Sequence, residues 1–291
     1  MATSTSLSST CLITGTTHGI GLATVRSIAR AGYTVVMANR NRQLTQLVEQ
    51  HLRKTTGNEN VSSLHCDLAS MASVRACASE FLARHRSLDL LINNAGMITA
   101  KPELSVDGIE LTFATNHLGP FLLTQLLLAT LRAAAGARIV NLASNVHSSA
   151  RLDLDHLTPG KRYSWPKAYS RSKLANVMTT LSLARRLQGT GITANCLHPG
   201  IVASNIVPRN SPILYWGGKL VKGLMRTPEQ GAATVIYLAL SPEVNGITGK
   251  YFDAHQNIAD PSPFARDLSA QNRLWQKSLE LVGIEQPETR S

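Results

Sequence analysis

The run Gly15-Thr-Thr-His-Gly19-Ile-Gly21 constrains this chain more than any other feature. It stands between an apolar run at 11–14, which reads as a buried strand, and an amphipathic stretch at 20–31 that Gly32 stops. Glycines in a strand–turn–helix let backbone N–H groups come close to phosphate oxygens, and the helix N-terminus adds partial positive charge there. A glycine run alone is also a tight turn. The strand before it and the helix after it make it a dinucleotide site. Gly15, Gly19 and Gly21 are the candidate cradle, with Thr17 and His18 inside it. His18 reads equally as a neighbour of a 2′-phosphate and as a solvent-facing side chain.

The end of the second strand, 33–38, discriminates between cofactors. A carboxylate there would bond the adenosine ribose and favour NAD. The segment Val36-Met-Ala-Asn39-Arg40-Asn-Arg42 has no acid. Arg40 can pair with a 2′-phosphate through charge-assisted bonds, and Asn39 can add a neutral one. The expectation is NADP(H) rather than NAD(H). The alternative is that Arg40 is a solvated residue at a helix start.

Strand and helix patterns continue to alternate, with helices at 42–54 and 71–85 and strands at 61–66, 88–92, 137–142 and 191–197. The strand runs are apolar without alternation, which predicts a sheet covered on both faces and crossovers of one hand. The expected class is α/β, a doubly wound parallel sheet flanked by helices. No linker divides the chain, so 1–291 reads as a single domain, with a core at about 9–260 and a C-terminal extension at 261–291. Hydrophobic residues at 43% and charged residues at 16% exclude a largely disordered chain. No apolar run reaches the ~18 residues that span a bilayer. The start, MATSTSLSST, lacks the basic and apolar parts of a secretory signal. A soluble, cytoplasmic protein without a membrane span is expected. The cysteines (Cys11, Cys66, Cys77, Cys196) form no CxxC pair and no histidines have the HExxH spacing, so no metal site is expected. The net charge of +11 comes from scattered residues, and no nucleic-acid reader motif accompanies it.

The sequence resembles the short-chain dehydrogenase/reductase family over about 9–280. Thr14-Gly15-x-x-x-Gly19-Ile20-Gly21, Asn93-Asn94-Ala95-Gly96, Asn116, Ser144, Tyr169-x-x-x-Lys173 and Pro199-Gly200 follow in the family's order. Within the family it is most similar to the retinol dehydrogenase and WW-domain oxidoreductase branch. Asp107-Gly-Ile-Glu110, Asn116-His-Leu-Gly119, Tyr169-Ser-Arg-Ser-Lys173-Leu-Ala-Asn176 and Gly249-Lys-Tyr-Phe252 carry that likeness. Two departures are Gly119-Pro120, where the branch often has Gly-His, and Ala143-Ser144, where it often has Ser-Ser. The resemblance implies a Rossmann-type fold and hydride transfer between NADP(H) and a carbonyl or alcohol substrate. It also implies homodimers or homotetramers through the helix starting at Phe121 and the helix carrying Tyr169. The rival reading is a catalytically silent NADP(H)-binding sensor or scaffold. The intact Asn116, Ser144, Tyr169 and Lys173 argue against it.

Tyr169 and Lys173, four apart on a helix, share a face. A free tyrosine titrates near 10, and a neighbouring ammonium favours the phenolate, so Lys173 is expected to lower the Tyr169 pKa. Tyr169 can then exchange a proton with the substrate oxygen, and Ser144 can hydrogen-bond that oxygen. By resemblance, Lys173 also holds the nicotinamide ribose, and Asn116 positions a water that links Lys173 to solvent. By position in the family pattern, Asp67 meets the adenine and Ile20 offers its N–H to the pyrophosphate. Asn94 and Gly96 pass the ribose, Val202 meets the carboxamide, and Ser204 stands where the family often has Thr. Thr17, His18, Leu68, Ala95, Pro199 and Gly200 complete the implied cofactor contacts. Asp67 also reads as the N-cap of the helix that follows it. His147, three past Ser144, reads either as cleft lining or as structural. Residues 203–226, rich in Pro, Gly and aromatics, read as a substrate lid or a docking surface. Tyr163 and Trp165 read as the other wall, and together these imply a bulky, apolar substrate.

Overall fold

The computed structural model describes residues 9–154, 163–202 and 225–285. Among them, eight strands form one sheet in the order β3-β2-β1-β4-β5-β6-β7-β8. They are β1 (Thr10–Thr14), β2 (Thr34–Asn39), β3 (Val61–His65), β4 (Leu90–Asn93), β5 (Arg138–Leu142), β6 (Thr193–Leu197), β7 (Tyr251–Phe252) and β8 (Ile258–Ala259). All neighbouring pairs are parallel except β7–β8. The strand order reverses between β1 and β4, and the crevice beyond their carboxyl ends is where this topology binds ligands.

Successive strand residues feed opposite cores. Cys11 and Ile13 pack with α1 (Gly19–Arg30), α2 (Arg42–Thr56) and α8 (Pro228–Leu240). Leu12 packs with the other layer. That layer is α3 (Met71–Arg84), α4 (Leu111–Phe113), α5 (Gly119–Leu126), α6 (Leu128–Ala133), α7 (Trp165–Arg186) and α9 (Leu268–Val282). Both faces are covered, as the unbroken apolar runs predict. All four cysteines are free and buried. Among the described residues, no helix is long and apolar enough to cross a membrane.

Several helices start at side-chain caps. Asn41 caps α2, Ser70 caps α3, and Thr227 with Gln230 forms a capping box on α8. Asp67 is therefore not the cap of α3. Its carboxylate instead accepts the Ala69 N–H at 3.0 Å and tightens the turn between β3 and that helix.

The C-terminal segment is an integral layer. α9 lies against α5 and α7, with Trp275 edge-on to Phe121 at 5.0 Å and Arg186 4.5 Å over the Trp275 ring. Gln271 accepts a hydrogen bond from Arg185 at 2.5 Å. Part of the face that the resemblance assigns to contacts between copies is packed here against this chain's own helix.

Candidate active site

The cradle at the end of β1 is shaped by what glycine lacks. Gly15 has φ +70°, and a Cβ there would stand 2.8 Å from the Ala95 Cα. Gly19 has φ +59°. A Cβ on Gly21 would overlap the Gly15 carbonyl oxygen and come within 2.5 Å of the Asn94 amide nitrogen. The loop is pinned from both neighbouring strands. Asn94 donates to the carbonyls of Thr14 and Gly15 at 2.9 and 2.8 Å, while Thr14 Oγ1 accepts the N–H groups of Asn94 and Ala95. Asn39 is buried and brackets Thr16, accepting its N–H and donating to its hydroxyl, both at 2.8 Å. Asn39 and Asn94 thus hold the loop rather than project from it. Arg40, one residue beyond Asn39, is exposed.

Three features make this cradle fit a dinucleotide. The first turn of α1 has no side-chain cap on its N–H groups. The glycines leave room for close approach, and an exposed arginine stands at the end of β2. Thr17 and His18 bond each other through Oγ1 and Nδ1 at 3.0 Å. The far end lies at the turn after β6. Gly200 has φ +84°, and its missing side chain makes room for the Arg226 stem. A Cβ on Gly231 of α8 would stand 2.6 Å from Val202 and 3.2 Å from Ile20. The residues implied for the pyrophosphate and the carboxamide therefore meet at one bare patch of α8. Val202 also pairs with Arg226. Ser204, and 203–224 of the expected lid, lie outside the described residues.

Ser144 follows β5 and caps the 3-10 turn Asn145–Ser149. Tyr169 and Lys173 lie on α7, with the Lys173 Nζ 5.7 Å from the centre of the Tyr169 ring. Lys173 is buried and donates to the Leu142 carbonyl at 2.9 Å, a carbonyl that Asn176 also reaches at 3.1 Å. Burial pushes the Lys173 pKa down to about 8. It pushes Tyr169 up to about 12, with a hydrogen bond from Ser144 pulling the other way. The expected lowering of Tyr169 by Lys173 is not found in this arrangement. The ammonium's bond goes to the Leu142 carbonyl, and desolvation of the phenolate outweighs the Ser144 hydrogen bond.

Asn116 is fully buried in a π-helical turn, Ala114–Leu118, a distortion often found at functional sites. Its amide exchanges two hydrogen bonds with the Met97 backbone, at 2.8 and 3.0 Å, and donates to Ser172 at 3.0 Å. It thereby ties the Gly96 loop to the helix of Tyr169. Asp67 is half-buried, while Leu68 is buried, with its carbonyl against the bare Cα of Gly119. Tyr163 closes on Thr99, its hydroxyl 2.9 Å from the Thr99 hydroxyl. His147 is buried and does not line the cleft.

Sequence reasoning missed Thr14, Thr16 and Asn176. Asn176 had a readable signal, because it lies three residues past Lys173 on the same helical face. Thr14 opens the glycine motif but its role there had no local signal, and Thr16 had none at all, since their partners are 80 and 23 residues away.

Residues 9–212 match the family model described as short chain dehydrogenase. The chain is 38% identical over 287 residues to human retinol dehydrogenase 13, covering 97% of this chain and 86% of that protein. Its fold is similar to the crystal structure of an uncharacterized protein from Mycobacterium Paratuberculosis, with TM-score 0.77, 30% identity and 97% of each chain covered. It is also similar to a blue fluorescent protein from a metagenomic library in complex with NADPH. That match has TM-score 0.66 and 27% identity, covering 84% of this chain and 95% of that one.

Proposed function

The chain belongs to the short-chain dehydrogenase family, in its retinol dehydrogenase-like branch, and is an oxidoreductase of CH–OH and C=O groups that uses NAD(P); from that premise we propose an NADP(H)-dependent enzyme for a bulky, apolar carbonyl or alcohol, with Tyr169 as the proton-transfer group. The observation that carries this reading is the convergence of Ser144, Tyr169 and Lys173 at the carboxyl end of β5, two strands from the glycine cradle of β1.

When bound, the nicotinamide supplies or accepts the hydride. The chain's own residues handle the oxygen. Ser144 donates to the substrate oxygen and stabilises its developing charge. Tyr169 delivers a proton to that oxygen during reduction. With its pKa raised to about 12, the phenol is protonated at neutral pH and so starts the reduction as the acid. Lys173, released from Leu142, would hold the ribose. The Leu142 carbonyl then keeps its Asn176 bond, so no buried acceptor is left unpaired. Arg40 would read the 2′-phosphate, a choice supported by the NADPH in the fluorescent relative. Val146 and Ile201 are 37% and 69% exposed just past Ser144 and Gly200, an apolar rim that suits an apolar substrate.

The test is NADPH and NADH oxidation against a panel of apolar ketones and aldehydes, retinal included. Turnover faster with NADPH is expected. Tight NADPH binding with no turnover across the panel would return the sensor reading.

A further inference from the structure

We propose that His147 is a positioning residue that holds Ser144 in register for the reaction, by gripping the serine's carbonyl on one side and the backbone at Ser262 on the other. The proposal rests on the reading of Ser144 as the donor to the substrate oxygen.

The Ser144 hydroxyl is loosely held by its own neighbours. Its contacts within the turn are long, 3.4 Å to Asn145 Oδ1 and 3.5 Å from the Val146 N–H. Outside the turn its one partner is Tyr169, the group it would share a substrate oxygen with, so the turn does little to aim the hydroxyl and its position rests on its backbone. The backbone is gripped twice by one residue. The Ser144 carbonyl accepts the His147 N–H at 3.2 Å and the His147 ring at Nδ1, 2.7 Å.

The ring is held in turn. It is 3% exposed and lies edge-on to Tyr251 of β7 with centroids 4.9 Å apart. Its Nε2 accepts the Ser262 N–H at 3.2 Å, from a segment 115 residues away. A carbonyl on one nitrogen and an N–H on the other define a neutral ring protonated at Nδ1. Burial agrees, pushing the ring's pKa below the ordinary histidine range. The turn does not need this brace merely to close. Ser148 and Ser149 each bond back to a carbonyl three residues earlier at 2.9 Å. What His147 adds is a tie from the serine to β7 and the C-terminal segment.

The experiment measures single-turnover NADPH oxidation with the best aldehyde of the panel, for His147→Ala, His147→Asn, His147→Gln, Ser144→Ala and the Ser144→Ala/His147→Ala pair. His147→Ala should slow turnover on the order of a hundredfold, the size of a misplaced reacting group, with NADPH affinity unchanged. His147→Asn places an amide donor where Nδ1 stood and should recover most of the rate. His147→Gln reaches only Ser262 and should not. In the Ser144→Ala background, His147→Ala should cost nothing further. A wild-type rate in His147→Ala, an equal loss in both backgrounds, or Asn no better than Gln would overturn the proposal. Should His147→Ala not fold, the Asn–Gln contrast decides alone. A wild-type rate in Ser144→Ala would instead sink the serine reading itself. The ¹⁵N shifts of the His147 imidazole give a check that needs no substrate, and protonation at Nε2 in place of Nδ1 would remove the grip.

Discussion

The β1–β4 side of the cleft is shaped by side chains that are missing, whereas the β5–α7 side is shaped by ionisable side chains that are buried. On the first side, Gly15, Gly19 and Gly21 expose backbone, and Asn39, Asn94 and Thr14 only hold that backbone in place. On the second, burial moves the Tyr169 and Lys173 pKa values in opposite directions. Binding a phosphate needs fixed N–H dipoles, which any rigid loop with room can offer. Moving a proton needs groups whose charge costs can be tuned, and burial is the means.

The sharpest way to break this division is Tyr169→Phe. It should lower turnover by about 10²–10⁴-fold while leaving NADPH affinity nearly intact, as read by stopped-flow and fluorescence titration. Loss of NADPH binding in step with activity would mean the two sides are not separable.

The next effect is a pH dependence of stability. Lys173 has a folded pKa of about 8, below its value in an unfolded chain. Between these values the unfolded chain holds more protons, so stability should rise with pH, by up to about 3 kcal/mol. Below about 8 that contribution is lost. Tyr169 acts with the opposite sign, because its folded pKa is raised, so stability should fall as pH climbs from about 10 toward 12. Urea unfolding of ligand-free wild type and Lys173→Met from pH 7 to 10 should show wild type gaining on the variant as pH rises, on top of a fall common to both as the buried Cys11, Cys66 and Cys196 thiols, all with raised pKa values, titrate. No gain of wild type over the variant would show that Lys173 does not bear a buried charge.

On the cradle side, Gly21→Ala should cost about 1–3 kcal/mol by overpacking against the Gly15 carbonyl and Asn94, with weakened NADPH binding. Gly19→Ala meets no atom within 4 Å and bears only its backbone strain, so it should be the milder of the two. Thermal melts with and without NADPH compare them, and the reverse order would contradict the close-approach account. The smallest effect is Arg40→Ala, expected to weaken NADPH binding about tenfold and NADH binding hardly at all, since an exposed ion pair is screened. An equal effect on both cofactors would remove Arg40 as the reader of the phosphate.

Much of this was legible in the residue order. The strand expected at 137–142 is observed at Arg138–Leu142, and the helix expected at 71–85 at Met71–Arg84. The glycine loop and the Tyr169–Lys173 spacing are local patterns, and local patterns survive folding. The π turn at Asn116 was not legible, because it depends on which distant backbone, that of Met97, its amide must meet. Asp67 read as an adenine contact and also as a cap, and the cap fell to Ser70, three residues on. The role of His147 was undecidable, since its two partners lie on opposite sides of it in the chain.

The sequence by itself determined the α/β class, the place of the cradle and which residues could carry charge or protons, because these follow from periodicity, backbone freedom and side-chain chemistry within a few residues. Only the tertiary structure decided that Asn39 and Asn94 face the loop and that α9 covers α5 and α7. It alone set the proton affinities of Tyr169 and Lys173 moving apart. Those outcomes depend on desolvation and on partners tens to hundreds of residues away, and burial is a property of the assembled fold rather than of any segment.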